Sequence, residues 1–140
     1  MGLWVALGVV VIGVVTGLVL RARAGRIRAA RQDRALPGPV AEALDKDSAV
    51  TLVQISTTFC APCRHARAVL STLAEKTEGL RHVEFDVTNM PEVARALGVL
   101  RTPTTIAFTP SGRELLRVSG VPKASGVLDS LGEHLTRSIT

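Results

Sequence analysis

The sequence predicts an α/β domain built on a central mixed sheet of about four strands flanked by helices, preceded by a single N-terminal transmembrane helix. Three observations carry that expectation. Residues 2–20 (GLWVALGVVVIGVVTGLVL) form one apolar run without a charge. From residue 40 onward, segments of helical and strand period alternate, the pattern of β-α-β units with parallel strands. Between residues 104 and 118, two strand-like stretches flank Pro110-Ser111-Gly112, which reads as a hairpin and adds an antiparallel pair.

The apolar run comes first. Its only polar side chain is Thr16. A helix of that length spans roughly 28 Å, close to the hydrocarbon thickness of a bilayer. A helix on the surface of a soluble core carries a polar stripe, and this one carries none. A cleaved signal peptide is the rival, but no basic residue precedes the run and arginines crowd the only small-residue cleavage pattern, Ala22-Arg23-Ala24. Gly13 and Gly17 have GxxxG spacing, which valine- and glycine-rich spans also produce by chance. A monomer is expected.

Residues 21–38 read as a basic juxtamembrane linker. Arg21, Arg23, Arg26, Arg28, Arg31 and Arg34 stand against Asp33, a net of +5. Of 17 basic and 12 acidic residues in the chain, 11 of each lie elsewhere, so residues 35–140 are neutral. The positive charge belongs to the linker and not to the domain, which argues against nucleic-acid binding. Arginine clusters stay on the cytoplasmic side and touch anionic headgroups. The expected topology is an outside N-terminus, a bilayer span over residues 2–20 and a cytoplasmic domain over residues 39–140. That compartment is reducing, where a CxxC pair is more often catalytic or metal-binding than structural.

Leu36-Pro37-Gly38-Pro39 breaks the basic helix and marks the domain boundary. Residues 40–47 read as a short helix, and 51–56 (TLVQIS) as a strand buried on both faces. Residues 61–78 read as a helix with Ala66, Val69, Leu70, Leu73 and Thr77 on one side, Pro62 in its first turn and Gly79 at its stop. Residues 82–87 (HVEFDV) alternate as a strand. A short helix over 91–97 follows, then strands over 104–109 and 114–118, and a last helix opened by Pro122 and running to about residue 137.

Cys60 and Cys63 are the only cysteines, and they fall where the first strand hands over to a helix. A helix N-terminus carries partial positive charge and unpaired N–H groups, which favour a thiolate. Cys60 is thus the expected nucleophile, with Arg64 nearby, and Cys63 one turn on is the partner that resolves a mixed disulfide. Other chemistries fit less well. Zinc needs about four ligands, and His65 lies roughly 200° around the helix from Cys63. His82 and His134 show no ligand spacing, so no metal site is expected. Covalent haem attachment needs histidine where Arg64 stands. Idle thiols remain the bland alternative.

TLVQISTTFCAPCRHA resembles the active-site strand, loop and helix of the thioredoxin family, and RTPTTIAF (residues 101–108) resembles its cis-proline loop and following strand. Gly112 and Gly120 match its hairpin glycine and the glycine before its last helix. The resemblance covers about residues 40–137. It implies a thioredoxin-like fold and a thiol-disulfide oxidoreductase acting on protein disulfides, recharged by a separate reductase. No cofactor is implied beyond the Cys60–Cys63 redox couple. It also implies that Pro103 is the cis-proline beside the disulfide and that Thr102 offers its backbone to substrate.

The departures lie around the dithiol. Phe59 replaces the family's usual tryptophan, Ala61-Pro62 replaces Gly-Pro, and Gln54 stands at the position of a buried aspartate. Glu84 stands where the family has a strand lysine, so a carboxylate on the neighbouring strand is a candidate for proton transfer, against the plainer reading of a solvated surface residue. The family's first strand has no counterpart in the sequence pattern. Two alternatives stay open: an extracytoplasmic oxidoreductase in cytochrome or envelope maturation, and a redox-inactive docking module.

Overall fold

A computed structural model describes residues 1–30 and 35–137. Arg31, Asp33 and Arg34 of the basic run lie outside the described residues. The elements are α1 (Gly2–Arg23), β1 (Ile27–Ala29), α2 (Gly38–Ala43), β2 (Val50–Ser56), α3 (Ala61–Lys76), β3 (Leu80–Asp86), α4 (Pro91–Ala96), β4 (Thr104–Phe108), β5 (Glu114–Ser119) and α5 (Ala124–Arg137). Apart from the basic helix, each element expected from the sequence is present, with ends shifted by a few residues.

The sheet order is β1-β5-β4-β2-β3. β2 and β3 are parallel, as the crossover through α3 requires, whereas β4, β5 and β1 add antiparallel pairs. All seven residues of β2 are buried, which explains its unbroken apolar character. Even-numbered Val50 and Leu52 pack with Leu70, Leu73, Leu116, Val118, Val127 and Leu131 in the layer formed with α3 and α5. Odd-numbered Val53 and Ile55 pack with Val40, Leu44, Val93, Leu97, Ile106 and Phe108 in the layer formed with α2 and α4. Gln54 shares the parity of Leu52 and so lies beneath α3.

The strand count differs from the expectation of about four. Ile27–Ala29, inside the linker expected to be a basic helix, is instead a strand and pairs with β5 as the fifth of the sheet. Its local signal is weak, because one isoleucine between Arg26 and Arg28 shows no alternation. Tertiary contacts supply what the pattern lacks: β5 offers an open edge, and Ile27 packs against the core. α1 buries none of its residues against the domain and leaves its large apolar side chains exposed. It is long and apolar enough to cross a membrane, a property that signal sequences share.

Candidate active site

β2 ends at Ser56, and four residues later Cys60 caps α3. Cys60 has an extended backbone (φ −113°, ψ 95°), which turns the chain into the helix, and Pro62 sits in the first turn, where its missing N–H costs nothing. The Cys63 N–H donates to the Cys60 carbonyl at 3.2 Å, closing that turn. Cys60 and Cys63 are joined as a disulfide with their Cα atoms 5.2 Å apart. Cys60 is half-buried, whereas Cys63 is only 3% exposed. Cys60 is therefore the more accessible of the two residues.

A cleft of about 630 Å³ opens in front of the pair, lined by Phe59, Cys60, Cys63, Arg64, Arg67 and Glu84 among others. Phe59 is 97% exposed at its rim. The peptide between Thr102 and Pro103 is cis, as the resemblance implied. Pro103 is buried, and its carbonyl accepts the Gly120 N–H at 2.8 Å. The Thr57 and Thr102 hydroxyls lie 3.4 Å apart and join the loop before Cys60 to the loop before Pro103.

Gln54 is fully buried below the helix start. Its amide nitrogen donates to the Cys63 carbonyl at 2.9 Å, and its amide oxygen lies 3.0 Å from His82 Nε2. A neutral glutamine thus touches the Cys63 backbone, and a histidine stands behind it. Burial pushes the His82 pKa below its ordinary value; Glu84 opposes that shift and Arg67 adds to it.

Glu84 neighbours Gln54 across the parallel β2–β3 register. Its side chain is mostly buried and pairs with the guanidinium of Arg67 from α3. Burial raises its pKa, but the Arg67 hydrogen bond, the Ser56 hydroxyl and the nearby charges outweigh it and hold the carboxyl below the usual glutamate range. Glu84 is thus an ion-paired carboxylate in the cleft. It is neither a solvated surface group nor an acid with a raised pKa.

Three contacts were not legible in the sequence: His82 with Gln54, Arg67 with Glu84, and a polar brace on the loop before Cys60. In the brace, Thr58 N–H donates to Thr88 Oγ1 at 3.0 Å, and the Thr88 N–H donates to Asp86 Oδ1 at 2.9 Å. Hydrogen bonds from the Thr88 hydroxyl and N–H lower the Asp86 pKa, with a further contribution from Thr58. Only the Asp86-Val87-Thr88 turn had a local signal, an aspartate bonding two residues ahead.

The thioredoxin family model matches residues 40–133, the span that holds both cysteines and Pro103. The chain belongs to the thioredoxin family. It is 32% identical to thioredoxin 1 of Nostoc sp. over 95 residues, covering 67% of this chain and 87% of that relative. A thioredoxin of Staphylococcus aureus is 32% identical over 90 residues, or 64% of this chain and 86% of the relative. Among solved structures, a mutant thioredoxin from Halobacterium salinarum superposes with a TM-score of 0.61 at 25% identity, covering 72% of this chain and 88% of that one. The reduced thioredoxin pre-protein of Schistosoma mansoni gives 0.58 at 26% identity, covering 69% and 90%. With its close CxxC pair, this thioredoxin-family protein is a thiol-disulfide oxidoreductase.

Proposed function

We propose that this thioredoxin-family protein is a membrane-tethered reductase of protein disulfides that works through Cys60 and Cys63. The observation that carries this reading is the unequal exposure of the two sulfur-bearing residues at one helix start. In the reduced protein, the Cys60 thiolate attacks one sulfur of a substrate disulfide. The other substrate sulfur leaves as a thiolate and takes a proton, and a mixed disulfide forms. The Cys63 thiol loses its proton and attacks Cys60 Sγ. The second substrate thiolate departs, and the Cys60–Cys63 disulfide remains. Two electrons have passed to the substrate, and a separate reductase returns them.

Thr102 and Pro103 would align the substrate chain beside the sulfurs, Phe59 would contact it at the rim, and Arg64 would favour the Cys60 thiolate. Gln54 and Glu84 would tune the pair from behind. The couple needs no cofactor beyond its own sulfurs. Tethering rests on residues 2–20, and a cytoplasmic domain over 39–140 rests on the arginines that follow the span.

The test uses the reduced full chain and a disulfide-bonded test protein. Cys60→Ser should abolish turnover. Cys63→Ser should accumulate a mixed disulfide that denaturing gels resolve. The Cys60 thiol should titrate below the value of about 8.5 for a free cysteine. Turnover that survives Cys60→Ser would overturn the assignment.

A further inference from the structure

The chain enters the sheet at its redox end. β5 finishes at Ser119, and antiparallel β1 begins beside it, with Ile27 opposite Val118. Ser119 is paired with Thr104 at the start of β4, and Thr104 with Ile55 near the end of β2. The Cys60 turn and the Thr102–Pro103 peptide lie just beyond those same strand ends. The last turn of α1 therefore shares one end of the sheet with the dithiol. The turns before Val50 and Leu80 occupy the other end. Three strand spacings separate β1 from β2, about 14 Å sideways.

The junction is short and fastened. Only Ala24, Gly25 and Arg26 separate α1 from β1. The Gly25 N–H donates to the Ser119 carbonyl at 2.6 Å, and Arg26 Nε donates to the Ala22 carbonyl at 3.1 Å. Gly25 has φ +76°, and a side chain there would meet the Val121 carbonyl oxygen at 2.7 Å. Next to it, Gly120 holds the Pro103 carbonyl, so the segment that fastens the anchor also fastens the cis-proline loop. Leu20 and Arg23 of α1 line a cleft of about 320 Å³ together with Leu100, Arg101 and Ser119.

This end also carries the domain's two fully exposed large apolar side chains among the described residues, Phe59 at 97% and Leu100 at 98%. Exposed Arg64 lines the same cleft as Phe59, and exposed Arg23 and Arg101 line the cleft beside Leu100. Apolar tips among arginines suit an anionic bilayer surface, where the rings and methyl groups enter the interface and the guanidinium groups meet phosphates.

We infer that α1 holds the domain with Cys60 turned toward the bilayer, so that its substrates are disulfides at the membrane surface, in the membrane-proximal segments of membrane-embedded proteins. This rests on the reading of α1 as a membrane span. A fastened three-residue junction confines the dithiol to a shell beside the membrane, where it meets surface disulfides at high effective concentration and soluble ones only at bulk concentration.

The experiment uses the full chain in vesicles of phosphatidylcholine and phosphatidylglycerol. Flotation of the protein with the vesicles tests the span. One variant, Cys63→Ser, carries a fluorophore on Cys60. A second, Cys60→Ser with Cys63→Ser and Glu78→Cys, carries it at exposed position 78 on the far end of the sheet, about 23 Å away along a seven-residue strand. Energy transfer to a short-range acceptor on lipid headgroups should be several-fold stronger from position 60. A flexible twenty-residue spacer inserted between Arg23 and Ala24 should erase the difference. In parallel, the reduced wild-type chain should turn over a pyridyl disulfide on a lipid headgroup about tenfold faster than the same group on a soluble carrier protein, and the spacer should shrink that preference. Protein that stays behind while the vesicles float overturns the span and the inference with it. Flotation with equal transfer from both positions, or stronger transfer from 78, overturns the orientation alone and leaves the dithiol chemistry standing.

Discussion

Gln54 and His82 meet side by side beneath the active-site helix, with Gln54 Oε1 3.0 Å from His82 Nε2. The other end of the Gln54 amide settles the proton positions. The Cys63 carbonyl can only accept, so the amide nitrogen faces it and Oε1 faces the imidazole. His82 must then donate from Nε2. A donor chain runs from His82 through Gln54 to the backbone carbonyl of Cys63.

Gln54→Ala should therefore destabilise the oxidised protein. It strips the Cys63 carbonyl of its side-chain donor and leaves His82 Nε2 facing a void. A buried hydrogen bond lost with its partner left behind costs about 1–3 kcal/mol. Urea unfolding of Gln54→Ala, His82→Ala and the double variant gives a cycle in which the two effects should fall short of additivity. Strict additivity would mean that the contact carries no energy.

Acid should weaken the fold in two separate windows. The folded His82 pKa is depressed, first by burial, so below about 6.5 the unfolded chain binds a proton that the folded chain refuses. Stability is then full above that pH and declines as pH falls toward the folded value. His82→Gln should flatten this limb in denaturation midpoints measured between pH 7 and 5.

Glu84 contributes the second window. Its folded pKa is also depressed, because the Arg67 hydrogen bond, the Ser56 hydroxyl and the nearby charges together outweigh burial. The stabilisation is complete above the unfolded glutamate value of about 4.3 and is lost as pH falls through the folded pKa. Arg67 is more than half exposed, so Glu84→Gln should cost under about 1 kcal/mol at neutral pH. Arg67→Ala should move the Glu84 carboxyl upward in an NMR titration, because burial then acts with little opposition. A Glu84 resonance that titrates at its ordinary value in the parent protein would mean that the ion pair does not hold in solution.

Membrane topology is tested on intact cells. The arginines that follow α1 should hold the domain in the cytoplasm. A membrane-impermeant thiol reagent should then label Cys60 only after the cells are opened. Labelling in unbroken cells would place the domain outside and make the extracytoplasmic oxidoreductase the working assignment.

Local patterns in the chain were enough for the order of elements from α2 onward, the apolar N-terminal helix and the placing of Cys60 and Cys63 at a strand-to-helix junction. Period-two and period-3.6 patterns, Pro62 in a first turn and Gly79 past a helix end are written within a few residues of where they act. Other features waited for the tertiary structure, because they depend on which strands become neighbours. Parallel pairing of β2 with β3 brings His82 to Gln54 across 28 residues, and it brings Glu84 under Arg67 of α3. β1 exists because β5 leaves an edge for three residues that show no strand pattern of their own. That same antiparallel pairing sets α1 at the sheet end that carries the dithiol, a relation no local period can encode, since only the direction of a strand beside its neighbour decides at which end of the sheet it begins.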